Sequence, residues 1–246
     1  MAVNVNLGGI SFEVVNPANP AELSDGRCLE MARLSLAAFT HNEDQLPEHC
    51  RHTTEQVAYF LGIEDMPEYI AAQRNPQLLV GVKYGAEQRL WRPRTALAVE
   101  TESDRLVGFA STADNVSGSE AAQRVKSAWL PKRHRTLRMI AVEPEFQGRG
   151  VGHALALLSW ETAIPGQPAS AYALMNEGSR RNFFLHSSGL QMDHRSGPSG
   201  RQSYGEGDNH SSQFRYHSPG LNGARKAAEH IRRKYPAVAD AVTQSA

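Results

Sequence analysis

A mixed α/β fold is predicted by three observations. Residues 137–142 are a short run of mainly β-favouring side chains, stopped by Pro144, which has no N–H to give a ladder. Past Gly148, Gly150 and Gly152 the pattern changes. Val151, Leu155 and Leu158 fall on one helical stripe, widened by Ala154 and Leu157. Second, 95–100 and 105–112 form the clearest pair of strands, joined by a short polar turn, so they make an antiparallel hairpin. Third, 40% hydrophobic and 21% charged residues over 246 positions fit a globular protein, either one large domain or a domain with extensions.

The remaining elements follow in order. Residues 10–15 alternate as a first strand, ended by Asn16-Pro17 and Asn19-Pro20. The spacing of Cys28, Met31, Leu34 or Ser35 and Ala38 predicts a helix over 25–39. Residues 41–52 are polar and broken by Pro47. Thr53 to Glu55 then cap a helix that runs to Phe60 or Leu61 and closes at Gly62. A further short helix covers 66–73. Residues 78–84 fit either a short strand or a buried turn. Residues 114–127 read as a loop with a short helix. The basic group Lys132, Arg133, His134 and Arg135 precedes the 137–142 strand as a turn. Pro165-Gly166-Gln167-Pro168 is a stop, and 169–174 a small-residue strand. A helix covers 179–187, and 194–212 is a glycine- and serine-rich loop. Residues 213–217 form the last strand, with Pro219-Gly220 as its stop. A basic amphipathic helix over 222–235 docks on the domain or on a dimer. Pro236 ends it, and the tail to Ala246 is expected to be disordered.

Composition narrows the function classes. The formal net charge is zero, so no global field favours nucleic acid or a membrane surface. Two cysteines, Cys28 and Cys50, are too few for a disulfide framework; they fit two free thiols in a reducing cytosol, the alternative being a single bridge. Residues 1–10 do not have the layout of a signal peptide, and no stretch approaches the length of a membrane span. A cytoplasmic protein is therefore expected. The ten histidines show no His-Glu-x-x-His spacing, no Cys-x-x-Cys is present, and His49, Cys50 and His52 lack a completing ligand. No metal is expected.

The glycine turn has a physical use. The first N–H groups of a helix have no partner within it and lie at the positive end of its dipole. Glycines let backbone approach a ligand closely, so a strand feeding this turn is an anion site suited to phosphate. Arg149 adds a side-chain charge. The spacing G-x-G-x-G matches neither the dinucleotide fingerprint G-x-G-x-x-G nor the Walker pattern.

Gln147-Gly148-Arg149-Gly150-Val151-Gly152 resembles the Q/R-x-x-G-x-G/A signature of the GNAT superfamily of N-acetyltransferases, and Val142-Glu143-Pro144 and Phe146 resemble its approach to the turn. The resemblance is specific over about 25 residues and extends weakly, by element order, to most of the chain. It implies a GNAT fold over 1–220: a mixed, mostly antiparallel sheet with helices on both faces and a parallel pair that splays at the coenzyme A site. Residues 221–246 would be a C-terminal basic helix and tail. The turn would cradle the pyrophosphate of acetyl-CoA, the co-substrate. Ile140, Ala141 and Val142 would offer the strand edge that pairs with the pantetheine arm. Asn176 matches a frequent coenzyme-contacting asparagine; the other reading is a helix cap. The Lys132–Arg135 group is either a partner for the 3′-phosphate or a solvated turn. The long region between the first two strands either shapes an acceptor pocket or pads the core.

The implied reaction is direct acyl transfer to the amine of a small molecule or peptide. An alkylammonium with a pKa of about 10.4 must first lose a proton, and general base catalysis is typically worth about 10²–10⁴ in rate. Glu100 is the first candidate base, with Glu102, Glu143 and His134 as alternatives. The family often carries a tyrosine acid four residues before a glycine like Gly189; Leu185 stands there instead. Tyr216 or Tyr204 would replace it if the terminal hairpin folds over the thioester. Backbone N–H groups near 140–142 would meet the oxyanion. Two other readings stay open: a non-catalytic acyl-CoA-binding regulator, and a related enzyme of thioester chemistry (S-acyl transfer or decarboxylation). A homodimer is possible within the family.

Overall fold

The computed structural model describes residues 7–44, 48, 51–75, 90–116, 133–162, 170–176, 184–192, 202–204, 211–218 and 222–245. The described strands are β1 (Ile10–Val15), β2 (Leu90–Glu100), β3 (Arg105–Val116), β4 (Arg133–Val142), β5 (Ser170–Asn176), β6 (Gln191–Met192), β7 (Gln202–Tyr204) and β8 (Ser211–Ser218). The helices are α1 (Asp25–Glu43), α2 (Thr54–Leu61), α3 (Met66–Arg74), α4 (Val151–Glu161), α5 (Gly223–Lys234) and α6 (Pro236–Ser245). The strands form one sheet in the order β1-β2-β3-β4-β5-β8-β6, and β7 pairs with β8. Every pairing is antiparallel except β4 with β5.

Local signals explain much of this. Thr53 accepts from the Gln56 N–H while the Gln56 side chain accepts from the Thr53 N–H, a reciprocal capping box, and Gly62 ends α2 in the left-handed region at φ 68. Asp65 caps α3, and Pro67 sits in its first turn, where a missing N–H costs nothing. The hairpin between β2 and β3 turns at 101–104, as the polar residues there predict.

Two cores cover the two faces of the sheet. On one, Cys28, Met31, Leu34 and Ala38 of α1 pack with Leu97, Phe109, Ala141 and Met139. On the other, α4 is buried nearly all round, through Val151, Ala154, Leu155, Leu157 and Trp160. It lies between the sheet and the α5–α6 pair, and a helix apolar on all sides belongs in such a place. Gly108 of β3 lets α4 come close: a Cβ there would stand 3.0 Å from Leu155 Cδ1 and 3.2 Å from Val151 Cγ1.

Several expectations are corrected. The stretch after Tyr235 is helix α6, not a disordered tail. Pro236 restarts a helix as its first residue, and Val238, Ala239 and Val242 bury one face in the α4 core. The α5 helix docks on the same core through Ala224, Ala227, Ala228 and Ile231. Strand β7 and the start of β8 at Ser211 fall inside the expected 194–212 loop, and β6 was not expected. Strands of two or three residues carry no periodicity of their own and exist by pairing with β8. Strand β3 continues through Val116, into the expected 114–127 loop. Cys28 is buried and free. Cys50, the stop at 165–168 and the ambiguous 78–84 lie outside the described residues, as does most of the expected 179–187 helix; 184–187 is helical. Among the described residues no helix is long and apolar enough to cross a membrane, and no cluster of side chains could hold a metal ion.

Candidate coenzyme and acceptor site

Strand β4 carries the site. Its parallel ladder with β5 joins 134–137 to 170–173 and ends at Leu137↔Ala173. Beyond that point β4 runs on to Val142, paired with β3, while β5 runs on to Asn176, paired with β8. The Glu143 N–H donates to Val107 O at 2.9 Å, so it points toward β3. Strand alternation then turns the Ala141 N–H toward β3 as well, and the Ile140 and Val142 N–H groups toward β5. Of the three expected edge residues, Ile140 and Val142 therefore present backbone to the open side; Ala141 does not.

The turn follows. Gly148 and Gly150 have φ of 77 and 100, a region L side chains rarely adopt. Gly150 is the N-cap of α4 and offers no side-chain cap. Among the described residues no acceptor takes the N–H groups of Arg149, Gly150, Val151 or Gly152. A helix start with free N–H groups is the kind of place that suits an anion. The Arg149 guanidinium stacks over the buried Phe146 ring, 4.8 Å from its centroid. Gly152 matters for packing instead, because its missing Cβ makes room for Phe184, whose Cε2 would be 3.2 Å away. Gln147 turns inward, and its Nε2 donates to Val142 O at 2.9 Å, holding the end of β4 against the turn.

Below the turn Arg105 gathers carboxylates. It pairs with Glu143 at 3.2 Å, Glu145 at 2.6 Å and Glu100 at 3.6 Å. Burial raises the Glu143 pKa, with Arg105 acting against that shift. Glu100 also accepts from Ser103 Oγ at 2.6 Å. The structure thus places Glu100 at the β2–β3 hairpin tip, linked through Arg105 to Glu143 and Glu145 ahead of the glycine turn, with Ser103 and Arg105 both engaging its carboxylate. Glu102 is exposed on the same hairpin.

The basic group before the strand is corrected. Arg133 to Arg135 belong to β4, and Arg135 is fully buried rather than solvated or set for a phosphate. It pairs with Asp114 Oδ1 at 3.0 Å and donates to Ser159 O, Arg92 O and Thr162 Oγ1. Burial pulls its pKa down and Asp114 opposes this. Leu185 is fully buried in the α4 core, so that position offers no proton donor. Asn176 is the last residue of β5, in register with Gln213, and Tyr216 of β8 lies in register with Ala173 and Met192. The side chains of Asn176, Tyr204 and Tyr216 lie outside the described residues, as does that of His134.

Two features escaped sequence reasoning. One is Gly108, whose lack of a side chain lets α4 seat on the sheet. The other is Arg138, a charge inside the apolar 137–142 run, which was signal enough to single it out.

Residues 64–164 match the model of the acetyltransferase (GNAT) family. No curated protein matches the sequence. Among solved structures, YncA, a putative acetyltransferase from Salmonella typhimurium with its cofactor acetyl-CoA, is similar at 14% identity, covering 85% of this chain and 92% of that one with a TM-score of 0.48. The PaiA N-acetyltransferase from Thermoplasma acidophilum in complex with coenzyme A is similar at 12% identity, covering 84% and 98% with a TM-score of 0.45. The segment that matches the acetyltransferase (GNAT) family model, residues 64–164, spans the glycine turn.

Proposed function

We propose that the protein transfers an acetyl group from acetyl-CoA to the amine of a small molecule or peptide. The observation that carries this reading is the course of β4, which leaves its ladder with β5 at Leu137, presents Ile140 and Val142 to the opening, and ends on a helix start with free N–H groups. The pyrophosphate binds the N–H groups of 149–152, with Arg149 adding charge. The pantetheine amides pair with the exposed edge at Ile140, as an added strand would.

The amine, once deprotonated, attacks the thioester carbonyl. The C–S bond breaks, the nitrogen gives up a proton to a base or water, and the thiolate takes one. The oxyanion is met by the Ile140 or Val142 N–H, fixed before the reaction begins. A thiol pKa of about 8.5 makes the thiolate a fair leaving group, so transfer does not depend on an acid at the Leu185 position. Tyr216 and Tyr204 remain the candidate acids. Glu100 remains a candidate base, although Ser103 and Arg105 already engage it.

Calorimetric titration of acetyl-CoA, followed by thiol release with a panel of amines, tests this. Gly150→Ala measures the backbone strain alone, and Gly150→Glu adds repulsion of the pyrophosphate. Binding that Gly150→Glu abolishes well beyond Gly150→Ala, with release that needs an amine, supports the transferase. Absence of binding to the wild type at millimolar concentration removes it. Tight binding with no release across the panel favours the regulator reading, which the buried Leu185 motivates.

A further inference from the structure

Arg138 sits at an irregularity in β4. Ser111 is in register with Met139 and Thr112 with Leu137, so Arg138 is the extra residue of a β-bulge. Leu137 packs in the α4 core and Met139 in the α1 core, and in such a bulge the extra residue shares the face of its successor. The Arg138 side chain therefore leaves the sheet on the α1 face, one residue beyond the point where the β4–β5 ladder ends.

Its surroundings are unusual. Arg138 is half-buried, and among the described residues no carboxylate pairs with it. Burial alone moves its pKa, down to about 10, with no acidic neighbour opposing this. On the same face Thr136 precedes it by two residues, and Ser111 lies across the bulge. Both hydroxyls, Thr136 Oγ1 and Ser111 Oγ, are buried without a hydrogen-bond partner. The other buried cation described in β4, Arg135, is satisfied by four acceptors. A half-buried guanidinium beside two unused hydroxyls is costly unless something occupies them.

We propose that Arg138, with Ser111 and Thr136, binds a carboxylate carried by the acceptor, so that the amine substrate is itself an acid, as an amino acid is. This rests on the transferase reading of the same cleft. The guanidinium fork takes a carboxylate in two parallel hydrogen bonds, and the hydroxyls donate to its remaining lone pairs. The bulge gives the site its position: it turns one cation toward the acceptor side at the place where β4 parts from β5. A polyamine or a basic peptide would meet repulsion there.

The test compares free amino acids with their amides as acceptors for wild type, Arg138→Met and Arg138→Lys, with acetyl-CoA affinity measured by calorimetry on all three. The wild type should prefer the acids by at least about tenfold in kcat/KM. Arg138→Met should abolish that preference through KM, with unchanged acetyl-CoA affinity, and Arg138→Lys should keep part of it. A wild type that prefers amides, or that acetylates neither set while binding acetyl-CoA, overturns the acid-acceptor assignment. So does a loss of acetyl-CoA affinity in a folded Arg138→Met protein. A wild type that does not bind acetyl-CoA overturns the transferase reading instead. The wild-type comparison decides the matter even if a variant fails to fold.

Discussion

Gln147 holds Val142: its Nε2 donates to the Val142 carbonyl at 2.9 Å across the start of the glycine turn. The carbonyl lies on the edge of β4 that has left β5, so no ladder replaces the bond. Gln147→Ala should cost about 1 kcal/mol of stability. It should also weaken acetyl-CoA binding severalfold, because the turn loses its anchor. Denaturant unfolding and calorimetry check the two effects separately. A variant that keeps wild-type affinity would show that the turn holds its shape without Gln147.

Gly152 is a packing glycine. The Phe184 ring edge occupies the space a side chain would need. Gly152→Val should destabilise the fold by about 1–3 kcal/mol through overpacking. A second change, Phe184→Ala, should recover part of that loss, and a double-mutant cycle would measure the coupling.

Arg135 and Asp114 form the buried ion pair at the far end of β4. Removing one partner leaves a charge buried alone. Asp114→Ala should therefore cost about 3–5 kcal/mol in thermal or chemical unfolding. Its distance in sequence from the coenzyme turn predicts that acetyl-CoA affinity in the folded fraction stays near wild type.

His153 predicts a pH dependence. It is buried in α4, with Nε2 2.7 Å from Ser187 Oγ, and burial, helped by Lys234 and His230, lowers its pKa to about 4. The folded state keeps the imidazole neutral, whereas an unfolded histidine takes up a proton near pH 6.5. Between those values the unfolded chain binds more protons, so stability falls as pH drops from about 6.5 to about 4 and levels off below. The full effect is about 3 kcal/mol. Unfolding free energies across that range should flatten in His153→Gln relative to wild type.

Glu100 and Tyr216 call for kinetics. If Glu100 is the base, Glu100→Gln should lower kcat by about 10²–10⁴. Its engagement by Ser103 and Arg105 predicts a smaller change. Tyr216→Phe should shift the alkaline limb of the kcat profile if the hydroxyl protonates the thiolate, and leave the profile unmoved otherwise.

Local signals made much of the fold legible. Thr53, Gln56 and Gly62 bounded α2 because caps act within a few residues. Gly148 and Gly150 marked the turn because their backbone conformations exclude most other residues. What stayed hidden depends on distant partners. Arg135 read as a surface charge because its partner Asp114 is on another strand. The bulge at Arg138 is a register between two strands, which neither strand encodes alone. Helix α6 looked like a tail because its small apolar residues gain their value only against α4 and β1.

That last contact sets an order of events during synthesis. Ile10 and Phe12 of β1 share one core with Val238, Ala239 and Val242 of α6. On the ribosome, the apolar face of β1 emerges first and waits for almost the whole intervening chain before this side of the core can close. Such long-range closure is slow and leaves apolar surface open to association. A nascent chain of this protein should therefore keep that face of β1 uncovered until α6 has left the exit tunnel, and a ribosome stalled before residue 236 would hold an unfinished core.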